Sequence, residues 1–135
     1  VVVLKILQIP AMDGYRSLGA WQLASQLSER VLEVTDSLTA RRTWTVIDQL
    51  RRAALSVDLN IVEGYALGTP ALYRHHLRIA YGSAAEVERL LQICLKREYL
   101  EAHECEKLLK LANGTLRALY GLLRSRNLAC RREPR

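Results

Sequence analysis

The residues whose chemistry is easiest to read in this 135-residue chain are basic and lie near its end. Lys107, Lys110, Arg117 and Arg124, with Gly114 and Gly121 between them, follow three- and four-residue steps. That spacing aligns side chains on one helix face. The set is offset by two residues, about 200°, from an apolar stripe of Cys105, Leu108, Ala112, Thr115, Leu119 and Leu122. It is therefore expected to face solvent as a cationic ribbon free of acidic residues, continued by Arg126, Arg131 and Arg132. Such a ribbon suits phosphate contacts. No aromatic stacking platform is evident beside it, so little sequence preference is expected. The plainer reading is a solvated helix face that aids solubility.

Charge bookkeeping points to the same region. Residues 1–102 hold twelve Lys/Arg against eleven Asp/Glu, whereas residues 103–135 hold eight against three. The net charge of +6 is thus concentrated in the last quarter. Nucleic acid or an anionic membrane would be drawn to such a surface.

A second polar set lies mid-chain. Arg52, Asn60, Glu63, Ser83 and Glu86 fall on or beside the inward faces of two expected helices. One reading is a buried hydrogen-bonded ion-pair network that fixes helix register. The other is a polar pocket for a small molecule built on Arg52, Glu63 and Glu86. Unpaired buried charge would be costly, which favours the structural reading.

Other chemistry lacks its residues. A di-metal bundle needs Glu-x-x-His motifs, and none occurs. His75 and His76 are neighbours that diverge by about 100° on a helix, so they cannot face one ion. His76 reads as an interior hydrogen-bonded histidine and His103 as solvated. There is no Gly-x-Ser-x-Gly and no phosphate-cradling glycine loop. Glu86 and Glu88, two apart, point to different faces. No catalytic residue, metal or cofactor is expected. Cys94, Cys105 and Cys130 form no CxxC pair, and the first two sit in apolar helical stretches. Buried free thiols and a reducing cytoplasm follow.

The elements that position these groups are helical. Hydrophobic residues make up 50% of the chain, aromatics only 6%, and phenylalanine is absent. Leucine and alanine dominate, which favours helices over sheets. A first helix is expected from Ser17, as N-cap, to about Leu38, burying Leu18, Trp21, Ala24, Leu27, Val31 and Val34. A second carries Ile47, Leu50, Ala54, Val57 and Ile61 as a bundle seam and stops at Glu63-Gly64, with the glycine as C′. Thr69-Pro70 opens a third as N-cap and first helical residue. Its inward face is expected to be Leu72, His76, Ile79, Ser83, Val87, Leu90 and Cys94. The fourth runs from about Ala102 to Arg126. Beside its core stripe lies a second, Leu109, Leu116 and Leu123, read either as part of a well-buried helix or as a contact with another subunit.

These spans predict an all-α, antiparallel up-down-up-down four-helix bundle over residues 15–128. Residues 1–14 are set aside as an N-terminal extension, non-native or flexible. Residues 129–135 form a basic tail. The apolar start has no basic n-region or cleavage site, so neither a signal peptide nor a membrane anchor is expected.

The central motifs carry a resemblance. Asp48-Gln49-Leu50-Arg51-Arg52-Ala53-Ala54-Leu55-Ser56-Val57, then Asn60-Ile61-Val62-Glu63-Gly64, resembles the signature of the bacterial 23S rRNA intervening-sequence four-helix-bundle proteins. Trp21-Gln22-Leu23-Ala24, the Ala80-to-Glu88 segment and Tyr99-Leu100 agree in order, so the resemblance covers about residues 15–125. Three positions depart from it. Asp58 stands where proline is common, Ala66-Leu67 where a glycine and an arginine often follow Glu-Gly, and Glu98 where glycine usually precedes Tyr99. The missing arginine removes any role that residue carries. The resemblance implies a homopentamer around a central channel, and a pentamer of this chain would carry about +30. The family name records gene location and not an activity. Relatives of the bundle serve diversity-generating retroelements, where a basic pentamer binds RNA or DNA and a reverse transcriptase. The expected function is non-enzymatic binding of structured RNA. A protein–protein scaffold for a nucleic-acid enzyme and a small-molecule binder are the alternatives.

Overall fold

Where the helices begin and end follows from a few capping residues. The computed structural model describes residues 10–125. A 3-10 helix, Pro10–Ser17, precedes four α-helices: α1 (Gly19–Thr35), α2 (Trp44–Leu67), α3 (Pro70–Lys96) and α4 (Ala102–Arg124). No strand occurs among the described residues. Thr69 caps α3 as expected, its hydroxyl accepting the Leu72 N–H at 3.2 Å, with Pro70 in the first turn.

Two expected caps are corrected. Ser17 does not cap α1; its hydroxyl donates to Gly14 O (2.9 Å), and Leu18 takes the N-cap position without a side-chain bond. Gly64 does not end α2. The helix continues to Leu67 and stops at Gly68, whose φ of 79° lies in the left-handed region that glycine adopts without penalty. Gly64 is instead buried against α3, where an added Cβ would come within 2.7 Å of the His76 Cβ. Its function is close helix approach and not chain reversal.

Cross-helix bonds give the directions. Along α2 and α3, Gln49 meets Glu86, Ser56 meets Ser83 and Asn60 meets His76, so the numbers run oppositely. Between α1 and α2, Trp21 and Ser28 reach Asp58 while Thr35 meets Arg51. Arg74 meets Leu123 and Tyr81 stacks near Tyr120 across α3 and α4, and Arg30 meets Glu104 across α1 and α4. Each helix packs on two neighbours while the diagonal pairs stay apart. The arrangement fits the expected up-down-up-down bundle.

The core seam of α2 is as expected: Ile47, Leu50, Ala54, Val57 and Ile61 are all buried. In α3 the expected stripe is turned by one position over most of its length. The buried residues are Tyr73, Leu77, Ala80, Ala84, Val87, Leu91 and Cys94, a heptad alternation of four- and three-residue steps. Leu72 and Ile79 are exposed instead. Small residues recur among the buried positions of both helices, Ala53, Ala54 and Gly64 on α2 and Ala80 and Ala84 on α3, and at Gly64 the two helices approach closely. In α4 the second stripe, Leu109, Leu116 and Leu123, is half-buried against this chain's own core. The large aliphatic residues left exposed lie on other helices, Leu55, Leu59 and Leu67 on α2 and Leu72 and Ile79 on α3.

Cys94 and Cys105 are buried and free. Burial pushes the Cys94 thiol up to about 11, and it raises that of Cys105 as well. Both are protonated at neutral pH. Cys130 lies outside the described residues. No described helix is long and apolar enough to cross a membrane.

Candidate nucleic-acid interface

Helix α4 is oriented by what it buries and by clasps at each end. Cys105, Leu108, Ala112, Thr115 and Leu119 face the core, and the Thr115 hydroxyl is satisfied by Leu111 O at 2.7 Å. At the start, the Glu101 carboxylate accepts the His103 N–H. Arg30 of α1 grips the Glu104 carboxylate through two guanidinium nitrogens and also pairs with Glu33 at 2.9 Å. The Arg30 hydrogen bond holds the Glu104 carboxyl below the ordinary 4.5, and Glu104 in turn raises the guanidinium. At the other end Arg74 donates to Leu123 O (2.7 Å) and Ser125 O (3.4 Å), placing a cation on the negative end of the helix.

With that orientation fixed, Lys107, Lys110, Arg117 and Arg124 are all exposed, and none makes an ion pair with a described residue. The expectation that no acid interrupts them is corrected. Glu106 is exposed one turn before Lys110, at the four-residue spacing that shares a face. Lys107 lines a depression with Glu29 and Glu33 of α1, so acids flank it. Lys110 and Arg117 border a shallow depression with Asn113 and, from α3, Glu88 and Gln92. Beyond Glu106 the cations of α4 are Lys110, Arg117 and Arg124, one every seven residues or about 10.5 Å, with Glu88 of α3 beside the first two. Arg126, Arg131 and Arg132 lie outside the described residues.

The expected absence of aromatics beside the cations is also corrected. Tyr120 is half exposed, and the Arg124 guanidinium lies 5.5 Å from its ring centroid and donates to its hydroxyl at 3.3 Å. Tyr81 of α3 stands behind it at 6.3 Å between centroids. Only packing reveals this pair, because nothing in the spacing of Tyr81 and Tyr120 announces that their rings meet.

The mid-chain polar set divides. Asn60 donates to Ser56 O (2.8 Å), which turns its oxygen to His76 Nδ1 at 2.9 Å, so Nδ1 carries the proton. Ser56 and Ser83 share a hydroxyl bond of 2.8 Å, and Glu63 stands 3.8 Å from His76. Half-buried Ser56, Asn60, His76 and Ser83 thus form rungs across α2 and α3. His76 matches its reading as a hydrogen-bonded histidine. Arg52 does not join them: it is 73% exposed and pairs with Asp48 on its own helix. Glu86 is exposed and accepts from Gln49 at 2.7 Å. Arg52, Glu63 and Glu86 therefore do not converge on a pocket. Among the described residues no three His, Cys, Asp or Glu side chains are grouped to hold a metal ion.

A family model for the 23S rRNA-intervening sequence protein matches residues 16–121, from the end of the 3-10 helix to within three residues of the end of α4. The chain belongs to the 23S rRNA-intervening sequence protein family. No curated protein matches it. Two of the departures from the family pattern now have physical content. Asp58 accepts from Trp21 Nε1 (2.9 Å) and from Ser28 Oγ (2.8 Å), tying α1 to α2 with bonds that a proline would not offer. Glu98 has φ 57° at the end of α3. The Tyr99 N–H reaches back to Cys94 O (2.9 Å) and the Glu98 N–H to Leu95 O (3.3 Å), a Schellman motif with glutamate where glycine fits without strain. Glu98→Gly is accordingly expected to raise stability by about 0.5–1 kcal/mol, since relief of left-handed strain exceeds the added unfolded-state entropy. An unchanged or lowered urea midpoint would contradict this.

Proposed function

We propose that this family member is a non-enzymatic, homo-oligomeric protein that binds structured RNA through the Lys110, Arg117 and Arg124 face of α4. The observation that carries the reading is the row of three exposed cations at heptad spacing, none engaged by a carboxylate, on a helix whose other faces are committed to the core. Phosphate recognition requires cations in that state, because pairing with protein carboxylates would compete with the ligand. Tyr120 beside Arg124 adds a surface on which an unpaired base can stack. The protein works in the cytoplasm.

The test is binding of nuclease-treated protein to labelled RNA and DNA, single-stranded and duplex, by fluorescence anisotropy from about 50 to 300 mM salt. Log affinity falls steeply with log salt if phosphates are the ligand. No binding at the lowest salt would overturn the reading.

Self-association, with a pentamer as the expected state, is supported by Leu55, Leu59 and Leu67 with Leu72 and Ile79, which leave an apolar face on α2 and α3. The second stripe of α4 lends it no support, because this chain already covers it. Sedimentation equilibrium reads the assembly directly, and a monomer at micromolar concentration would remove it. The same apolar face favours a second reading, a scaffold that docks a nucleic-acid enzyme such as a reverse transcriptase. Co-purification of one protein that survives nuclease treatment would support that reading.

A further inference from the structure

One end of the bundle gathers cations that the α4 face does not include. The α1–α2 and α3–α4 connections meet there: the Arg42 guanidinium lies 5.6 Å from the Tyr99 ring centroid, and the Tyr99 hydroxyl donates to Arg42 O at 3.5 Å. Arg97 donates to the same hydroxyl at 2.9 Å, its guanidinium 5.5 Å from the ring. Tyr99 thus holds two arginines from separate connections side by side. Arg41 and Lys96 flank them, and all four cations are exposed with no ion pair to a described residue. The carboxylates of these connections are Asp36, Glu98 and Glu101. Arg51 engages Asp36 at 2.9 Å and Glu101 caps α4, which leaves Glu98 as the one uncommitted acid against four cations. Trp44, the first residue of α2, is two residues beyond Arg42, after the buried N-cap Thr43, and is 56% exposed.

We infer that this end of the bundle is a second nucleic-acid contact that takes a single-stranded segment, with a base stacked on Trp44 and its flanking phosphates held by Arg41, Arg42, Lys96 and Arg97. The inference rests on the nucleic-acid reading of the preceding subsection. A large exposed ring at the same end of the bundle as four cations without ion pairs has the makeup of a single-strand site, where the ring takes a base face and the cations follow the backbone. A duplex keeps its bases stacked on one another and offers the indole no face. The α4 cations track phosphates of either form, and a single strand gains the exposed rings of Tyr120 there and of Trp44 here, so loss of Trp44 falls on single strands.

The experiment uses the full chain, a labelled oligouridine of about 12 nucleotides and an RNA duplex of equal length. Anisotropy is measured for the parent, Trp44→Ala and Trp44→Tyr, each taken forward only with the parent's thermal melt. Trp44→Ala is expected to weaken oligouridine binding about ten-fold or more and to leave the duplex unchanged, while Trp44→Tyr keeps most of the affinity. Oligouridine should also quench the parent's tryptophan emission, with the signal lost in Trp44→Tyr. Undiminished oligouridine affinity in Trp44→Ala, with binding still dependent on Lys110, Arg117 and Arg124, would overturn this inference and leave the α4 reading standing. Equal losses for both ligands would overturn the stacking role. Absence of any RNA binding in the parent would overturn both readings.

Discussion

Replacing Lys110, Arg117 and Arg124 together by glutamate is expected, on the proposed RNA-binding function, to lower affinity for structured RNA by about two to three orders of magnitude at ~0.1 M salt and to leave the fold intact. Each cation that meets a phosphate releases about one counterion, and at that salt the release accounts for roughly a factor of ten. Three lost contacts therefore multiply to about a thousand-fold at most, and the slope of log affinity against log salt falls by two to three units. Repulsion from the new carboxylates adds to the loss. Stability should change little, because all three side chains point to solvent and none bonds a carboxylate. Arg124 gives up only its contact with Tyr120. Anisotropy titrations with a parallel melt check the prediction, and a folded variant that binds like the parent would refute it.

The second large effect concerns one missing methyl group. Gly64→Ala is expected to destabilise the protein by about 2–3 kcal/mol, even though alanine in a helix normally gains about 1 kcal/mol over glycine. The new Cβ would stand 2.7 Å from the His76 Cβ, 3.3 Å from Tyr73 Cδ2 and 3.4 Å from Tyr73 O. A Cβ cannot swing aside, and a carbonyl moves only with its helix, so α2 and α3 must separate. Separation would loosen the core around the buried Ala53, Ala54, Ala80 and Ala84 and stretch the Asn60–His76 bond. For a domain of this size the cost corresponds to a fall of roughly 10 °C in Tm. Gly82→Ala is the internal control. Gly82 is helical and exposed with nothing within 4 Å of an added Cβ, so the same chemical change there should stabilise by about 0.5–1 kcal/mol. Equal effects at the two sites would show that α2 and α3 are not in close contact at Gly64.

The contrast between these glycines explains what was legible in the sequence. The α2 seam could be read because Ile47, Leu50, Val57 and Ile61 are large and Ala54 falls in step with them. The α3 face misled because Leu72 and Ile79 outweigh Ala80 and Ala84 in any apolar count, although the closest helix contact selects the smaller residues. Gly64 looked like a terminator because glycine commonly ends helices, and sequence alone does not distinguish room for a turn from room for a neighbour. The outward direction of Lys110, Arg117 and Arg124 followed from helical geometry alone. The acid one turn earlier, Glu106, is equally readable by the same four-residue rule. Tyr120 four residues before Arg124, and Trp44 close after Arg41 and Arg42, were also readable by position, but that both rings are left exposed could be known only from the packing. Arg52 seemed internal on helical phase, but the nearby Asp48 on the same helix meets its charge in solvent at no cost of burial.

The two core thiols also make the bundle its own recorder of motion. Cys94 ends the buried stripe of α3 and Cys105 begins that of α4, on either side of one short connection. An alkylating reagent needs an accessible thiolate, and here both access and ionisation are withheld by the same apolar surroundings. Modification of these sulfurs must wait for the α3–α4 hairpin to part. The rate at which they react is then a direct count of how often this end of the core admits water, obtained without introducing any probe.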